Sequence, residues 1–382
     1  MSHLEFMRQA IVRARSVEGR TSPRPPVGAV LVRENRIIGS GATSPPYGPH
    51  AEIHALHEAG TAALGADLYT TLEPCCITVH TPPCTAAIIA AGVKRVVIGS
   101  LDPNPQVSGR GAALLRAAGI EVILDIARQE TADLIRPFAT YITQGRPYVT
   151  AKWAMTLDGK LASHTGDSYW ISGPDARIWV HQLRDRVDAI MIGAGTAHAD
   201  NPRLTVRLAE EQREYQRTRR SDPLRIVMSS QGKLAAHLQL FQEQLAPETW
   251  VIVGEASTSE QRERLRALGV QVIEAPSNQD GRVDLAATLR LLARKGIMHL
   301  LLEGGSSLLG NAFEHKLIDH VAVFIAPKLI GGKEAPSPIG GTGLAFMQQA
   351  YHLEQTSRQT FAQDLLIEGE IAYPLEESNL GN

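Results

Sequence analysis

The chain of 382 residues is 43% hydrophobic and 20% charged, a balance that supports packed cores and argues against disorder or a fibre. At roughly 150 residues per domain, that length predicts two to three domains. A net charge of −2 supplies no broad field for nucleic acid, and no apolar run approaches the roughly 18 residues of a membrane span. In chain order, Met1 to Arg15 reads as an amphipathic helix rather than a signal peptide, with Glu5, Arg8 and Arg13 among Leu4, Met7, Ile11 and Ala14, so the chain is expected to act in the cytoplasm. Val27 to Val32 and Arg36 to Gly39 form a predicted hairpin around Glu34-Asn35. Pro49-His50-Ala51-Glu52 opens a helix, His54 to Ala59, closed by Gly60. Ala66 to Leu72 reads as a buried strand ending at Glu73-Pro74-Cys75. Thr81-Pro82-Pro83-Cys84 then opens a helix that stops at Gly92.

The cysteines Cys75, Cys76 and Cys84 all fall in this short window, which argues for a metal site or a reactive thiol over a disulfide framework. His50, Cys75 and Cys84 stand at strand and helix ends, from which they can converge on one tetrahedral ion with a fourth position left for water. His-x-Glu followed by Pro-Cys and a later Cys is the signature of zinc-dependent base deaminases. Zinc on His50, Cys75 and Cys84 would lower the pKa of its water to about 7. Glu52 would take that proton and return it to departing ammonia. The gap here is Cys-x8-Cys where nucleoside and nucleic-acid deaminases usually carry Cys-x2-Cys, so the match is to a subtype. Cys76 reads as a bystander, and His54 and His57 as solvated or core histidines.

Strand Val93 to Gly99, helix Gly111 to Ala118, strand Ile120 to Leu124 and a helix near Ala127 to Thr143 complete a three-layer α/β first half. Gly145-Arg146-Pro147 breaks the pattern, which places a domain boundary near residue 146: a first domain over 1–145 and a second over 146–382. The second half has predicted strands Tyr148 to Lys152, Ala189 to Gly193, Leu224 to Met228, Trp250 to Val253, Val270 to Ile273, His299 to Glu303 and His320 to Ala326, again α/β, with residues 208–222 a charged surface loop. Two glycine-bearing turns, Gly193-Ala194-Gly195-Thr196 and Glu303-Gly304-Gly305-Ser306, follow strands and suit a nucleotide phosphate, although neither is the dinucleotide fingerprint. Arg177, His181, Arg184 and the run His198 to Arg207 form a polar constellation. Within it Arg184 and Arg207 are either phosphate clamps or surface arginines paired with Asp185 and Asp188.

These motifs together resemble the bifunctional riboflavin-biosynthesis deaminase/reductase family over nearly the whole chain. They are His50-Ala51-Glu52, Thr71-Leu72-Glu73-Pro74-Cys75, Thr81-Pro82-Pro83-Cys84 and Asp102-Pro103-Asn104-Pro105, then Leu157-Asp158-Gly159-Lys160, Trp170-Ile171-Ser172-Gly173, Leu204-Thr205-Val206-Arg207 and Glu303-Gly304-Gly305. The resemblance implies a cytidine-deaminase-like domain followed by a dihydrofolate-reductase-like domain. The first would deaminate a diaminopyrimidinone ribosylamino 5′-phosphate on Zn2+; the second would reduce its ribosyl group to ribityl with NADPH. By position, Ala154, Trp170, Thr196, Asp200, Ser230 and the turn Gly305, Ser306, Ser307, Leu308, Leu309, Gly310, Asn311 would contact NADPH. Ser168, Arg184, Leu204, Arg207 and Glu303 would hold the sugar phosphate, with Lys152 and Asp200 orienting the open-chain sugar. The resemblance also implies a homodimer through the reductase domain, a small-molecule substrate, and no nucleic-acid or membrane partner.

The deaminase pocket departs from the family, which usually has Asn where Arg24 stands, His where Thr43 stands, and His and a basic residue near Ile77 and His80. Arg24 and His80 are therefore read as substitute substrate contacts. Two further readings stay open: a paralogue acting in a secondary-metabolite pathway of pteridine or azapteridine type, or a reductase whose zinc-binding first domain is catalytically silent.

Overall fold

The computed structural model describes residues 1–78, 82–213, 222–242 and 244–374. The chain divides into two compact units, one built on Met1–Pro147, the other on Tyr148–Gln212, Asp222–Leu292 and the residues from His299 onward. The predicted loop over 208–222 lies largely outside the described residues; within it, Asp222 accepts the Val206 N–H at 2.7 Å.

In the first unit, helix α1 (His3–Arg15) starts in a capping box: Ser2 accepts the Glu5 N–H and the Glu5 carboxylate accepts the Ser2 N–H. Its stripe Phe6, Met7, Ala10, Ile11 and Ala14 is buried. Strands β1 (Gly28–Arg33) and β2 (Arg36–Ala42) make the expected hairpin, with Glu34 and Asn35 both at positive φ, as a two-residue turn requires. Helix α2 (Ala51–Ala59), strand β3 (Asp67–Leu72), helix α3 (Cys84–Ala90), strand β4 (Arg95–Ser100), helix α4 (Arg110–Ala117), strand β5 (Glu121–Ile123) and helix α5 (Arg128–Gln144) follow. The five-stranded sheet runs β2-β1-β3-β4-β5, antiparallel at β1 and parallel from β3 to β5. The central strands β1, β3 and β4 are almost wholly buried because helices pack on both faces.

The second unit holds strand β6 (Tyr148–Thr156), helix α6 (Pro174–Arg184), strand β7 (Ala189–Gly193), helix α7 (Ala194–Asp200), strands β8 (Leu224–Met228) and β9 (Thr249–Val253), and helix α8 (Ser259–Ala267). Strand β10 (Gln271–Glu274), helix α9 (Leu285–Arg294), strand β11 (His299–Leu302), helix α10 (Ser306–Glu314), strand β12 (His320–Ala326) and strands β13 (His352–Phe361) and β14 (Asp364–Ala372) complete it. Its nine-stranded sheet runs β10-β9-β8-β7-β11-β6-β12-β14-β13, parallel through β12 and antiparallel in the last two pairings. The parallel strands were legible as apolar runs. The β13–β14 pair was not: β13 is polar and exposed over nearly its whole length, so it carries no buried period, and its pairing is irregular between Glu354 and Ser357. Arg225 on β8 is 1% exposed and donates to Thr249 Oγ1, the Leu245 carbonyl and Glu248, clamping β8 to the segment that leads into β9.

Candidate active sites

In the first unit, three local starts and stops converge. His50 is the N-cap of α2, Cys84 is the first residue of α3, and Cys75 lies just past the buried end of β3. Glu73 fixes that strand end by accepting backbone N–H groups from Asp102, Gly109 and Ala112 at 3.2, 2.9 and 3.0 Å. The Cys84 N–H then donates to Cys75 Sγ at 3.3 Å, and His50 Nδ1 lies 3.2 Å from Cys84 Sγ and 3.5 Å from Cys75 Sγ. All three ligand atoms lie within 4.8 Å of one another. Tetrahedral zinc, with bonds of about 2.0–2.1 Å to nitrogen and about 2.3 Å to sulfur, needs donors at about this separation, so the residues fit the ion. Hydrogen bonding from the Cys84 thiol, together with that of His50, holds Cys75 at about 4, while its bond to Cys75 and burial push the Cys84 thiol up. Cys76 stays outside the cluster, His54 is tied to Ser44 Oγ at 2.7 Å, and His57 is exposed.

Glu52, in the first turn of α2, is 3% exposed, and burial pushes its carboxyl up to about 7. A carboxyl poised there can both take and return a proton at neutral pH. Arg24 is half-buried, and its Nη1 donates to the Gly48 carbonyl at 2.8 Å and the Pro45 carbonyl at 3.3 Å. This ties its guanidinium to the loop that delivers His50, within electrostatic reach of Glu52, Cys75 and Cys84. Thr43 is turned inward: its Oγ1 accepts the Val27 N–H at 3.1 Å and donates to the Val27 carbonyl. Ile77 is half-buried, and His80 lies outside the described residues. Cys84→Ser is expected to leave zinc well below one equivalent and to lower the unfolding temperature of the first unit, read by metal analysis and calorimetry; full occupancy would overturn the ligand assignment.

The second unit contains a cavity of about 1100 Å³ at the carboxyl ends of its parallel strands, where open α/β sheets bind ligands. Of the residues singled out from the sequence, Lys152, Ala154, Ser168, Trp170, Arg184, Thr196, Asp200, Arg207, Ser230, Glu303, Gly305, Ser306, Ser307, Leu308 and Asn311 line it. Leu204, Leu309 and Gly310 do not. The Leu204 and Leu309 side chains are buried in the core, and Gly310 packs where a Cβ would lie 2.3 Å from the Gly340 carbonyl oxygen. Both expectations for Arg184 need correction. It forms a two-pronged ion pair with Glu303, Nε to Oε1 at 2.7 Å and Nη2 to Oε2 at 2.6 Å, and its Nη1 donates to the Thr205 carbonyl at 3.3 Å, so its fork is neither an open phosphate clamp nor paired with Asp185 or Asp188. Burial pushes the Glu303 carboxyl up, but Arg184 outweighs this and brings it to about 2. Burial pulls Lys152 down against the nearby Glu303. Arg207 remains exposed at the rim, its Nη1 donating to Thr205 Oγ1. Asp200 is exposed as a residue, yet partial desolvation raises its carboxyl.

Three titratable lining residues fell outside the assigned set. His181, which burial and then Arg184 and Arg207 push down to about 4, faces the ion pair as a neutral ring. Arg177 stacks 4.6 Å over Trp170 and donates to the Ser172 carbonyl at 2.9 Å. Arg282 comes from a loop that carried no motif. The turn after β11 fits a dinucleotide: a Cβ on Gly305 would stand 3.0 Å from Thr196 Oγ1, one on Gly304 would crowd Leu308 at 3.0 Å, and α10 begins without a side-chain cap, leaving its first N–H groups for a phosphate.

Family models match both units: residues 1–100 match the cytidine and deoxycytidylate deaminase zinc-binding region, and residues 147–367 match the RibD C-terminal domain. The riboflavin biosynthesis protein RibD of Actinobacillus pleuropneumoniae is 41% identical over 376 residues, covering 98% of this chain and 97% of that protein. That of Aquifex aeolicus is 40% identical, covering 95% and 96%. Among solved structures, Acinetobacter baumannii RibD superposes with a TM-score of 0.83 at 31% identity, covering 97% of this chain and 99% of that one. A Thermotoga maritima diaminohydroxyphosphoribosylaminopyrimidine deaminase/5-amino-6-(5-phosphoribosylamino)uracil reductase does so with 0.81 at 35%, with the same coverage. With a zinc-type donor set in a cytidine-deaminase-like unit, a dinucleotide-sized cavity in a reductase unit, and relatives spanning nearly its whole length, this chain belongs to the RibD family of bifunctional riboflavin-biosynthesis deaminase/reductases.

Proposed function

We propose that the chain deaminates 2,5-diamino-6-(5-phosphoribosylamino)pyrimidin-4(3H)-one in its first unit and reduces the ribosyl group of 5-amino-6-(5-phosphoribosylamino)uracil to ribityl in its second. The observation that carries this is one chain holding both a His50–Cys75–Cys84 cluster beside buried Glu52 and a glycine- and cation-lined cavity. The functional boundary lies near residue 146, between α5 and β6. Zinc, when bound, supplies an acidified water, and NADPH supplies the reducing equivalent. Glu52 accepts the proton of the attacking water and delivers it to the departing amine. Arg24, anchored on Gly48 and Pro45, presents positive charge to the pyrimidine substrate.

In the cavity, Lys152 and Asp200 orient the open-chain sugar, while Ser168 and Arg207 hold its phosphate end and Leu204 supports that wall from the core. Arg184 and Glu303 act as a pair: with Arg184 neutralising it, Glu303 stays ionised and can accept sugar hydroxyls. Ala154, Trp170, Thr196, Ser230 and the start of α10 from Gly305 to Asn311 hold the cofactor, Leu309 and Gly310 by shaping the helix rather than by contact. Asp200→Asn is expected to lower the rate of NADPH oxidation about tenfold to a hundredfold and to leave ammonia release unchanged; equal loss of both would contradict two separate sites.

The deciding assay gives zinc-loaded protein the diamino substrate and follows ammonia and NADPH separately. Ammonia release followed by NADPH oxidation supports the proposal. NADPH consumption only on pre-deaminated substrate favours the paralogue or the silent first domain, a reading prompted by Thr43 being engaged with Val27 where the family offers a histidine.

A second copy of the chain is the partner we infer for the second unit. Strand β13 ends the sheet exposed, and Leu329, Phe346 and Met347 are 74%, 66% and 87% exposed. Light scattering that gives a dimer mass supports it, and a monomer at micromolar concentration rejects it. A cytoplasmic place of action belongs to the same proposal, since Cys75 and Cys84 must stay reduced to serve as ligands. Among the described residues, no helix is long and apolar enough to cross a membrane.

A further inference from the structure

The cavity of the second unit is charged at two separated places. At the β6–β11 side lie Lys152 and the Arg184–Glu303 pair. At the β8 side lie Ser230, just past the end of β8, and Arg282, from the loop between β10 and α9. Between them stand the glycine turns that follow the adjacent strands β7 and β11, the segment best suited to a pyrophosphate. A dinucleotide seated on those turns must send one ribose toward Lys152 and the other toward β8. The reacting carbon belongs beside Lys152, so the adenosine ribose falls at the β8 side, one strand spacing of about 4.8 Å beyond β7.

The loop there is built to hold an arginine in place. Gly281 adopts φ +72°, the Asn278 carboxamide oxygen accepts the N–H groups of both Asp280 and Arg282, and the Val283 N–H donates to Ser230 Oγ at 3.1 Å. The Arg282 backbone is therefore tied to Ser230 through its neighbour. Its side chain is exposed on the cavity wall and forms no ion pair or hydrogen bond with any described residue, despite Asp280 and Asp284 nearby in sequence. In contrast, Arg184 is held by Glu303, Arg177 by Trp170 and Ser172, and Arg207 by Thr205. Strand β8, which follows the first glycine turn, ends at Met228 and runs into Ser229-Ser230 with no acidic residue to bind a free ribose 2′-hydroxyl, whereas an arginine nearby accommodates a 2′-phosphate.

We propose that Arg282 is the specificity-determining contact for the 2′-phosphate of the adenosine ribose, and so the residue that makes this cavity choose NADPH over NADH. The inference rests on the cofactor reading above and adds its orientation and the residue that discriminates. Its guanidinium fork would meet the dianionic phosphate from the rim, with Ser230 Oγ on the same ribose edge.

The test is isothermal titration of the full-length protein with adenosine 2′,5′-bisphosphate and with 5′-AMP, neither of which depends on turnover. Wild type is expected to bind the bisphosphate at least tenfold more tightly than 5′-AMP. Arg282→Ala should lose ten- to a hundredfold in bisphosphate affinity with 5′-AMP affinity and unfolding temperature unchanged, and Arg282→Lys should recover part of it. In steady-state assays the same variant should raise the KM for NADPH toward that for NADH without lowering kcat. Unchanged bisphosphate affinity in Arg282→Ala, or an equal fall for both ligands, overturns the assignment, as does the loss appearing in Arg177→Ala instead. Wild type that binds neither bisphosphate nor NADPH would instead overturn the cofactor reading itself.

Discussion

Replacing Glu52 by Gln is expected to lower ammonia release by about 10²- to 10⁴-fold, the range that a positioned proton carrier contributes. The amide keeps the volume of a side chain that is 3% exposed at the start of α2, so the helix and the His50 N-cap should survive. What it loses is the ability to bind and release a proton near neutrality, which burial confers on the carboxyl by pushing it up to about 7. Two controls separate chemistry from collapse: zinc content should stay at one equivalent, and NADPH oxidation on pre-deaminated substrate should be unchanged. A loss of less than tenfold would remove Glu52 from the proton pathway.

A comparably large effect is expected at the other site from Glu303→Ala. Arg184 and Glu303 have side chains only 12% exposed each, joined by two short hydrogen bonds, with Lys152 close by. Removing the carboxylate leaves the Arg184 guanidinium without its partner, and breaking such a buried pair costs about 3–5 kcal/mol. The second unit should therefore melt well below wild type, and reduction should be lost while ammonia release persists. The double variant Arg184→Met with Glu303→Leu removes both charges of the pair and is expected to regain much of the stability but none of the reduction. Recovery of reduction in that variant would show that the pair serves only the fold.

The pair also sets an acid limit. The Glu303 carboxyl has an ordinary value of 4.5 and about 2 in the fold, so below 4.5 the unfolded chain binds more protons than the folded one. Its contribution is full above about pH 4.5 and is lost as pH falls toward 2. Acid unfolding of the second unit should show this dependence, and the Glu303→Ala variant should lack it.

How much of this was legible in the residues varies by level. Apolar runs in parallel strands and the Glu34-Asn35 turn are written locally, because a turn involves residues within four positions of each other. The candidate zinc donors were legible for the same reason in another form: His-x-Glu and two spaced cysteines are rare enough together to suggest their chemistry. The hairpin β13–β14 was missed because β13 buries nothing, and its pairing is set by hydrogen bonds to β14 rather than by an apolar period.

The sequence by itself determined the two α/β units, the candidate metal ligands and proton carrier, and the glycine turns of the cavity, because each is specified by neighbours along the chain. Tertiary structure alone decided that Arg184 answers Glu303, 119 positions away, rather than a free phosphate or Asp185. It also decided that Leu204 faces the core, that Thr43 is tied to Val27, and that Arg282 reaches the cavity beside Ser230 with its guanidinium unpaired among the described residues. A side chain's charge is a property of its residue, but its partner is whichever group the strand order brings within about 3 Å, and that order is a property of the whole sheet.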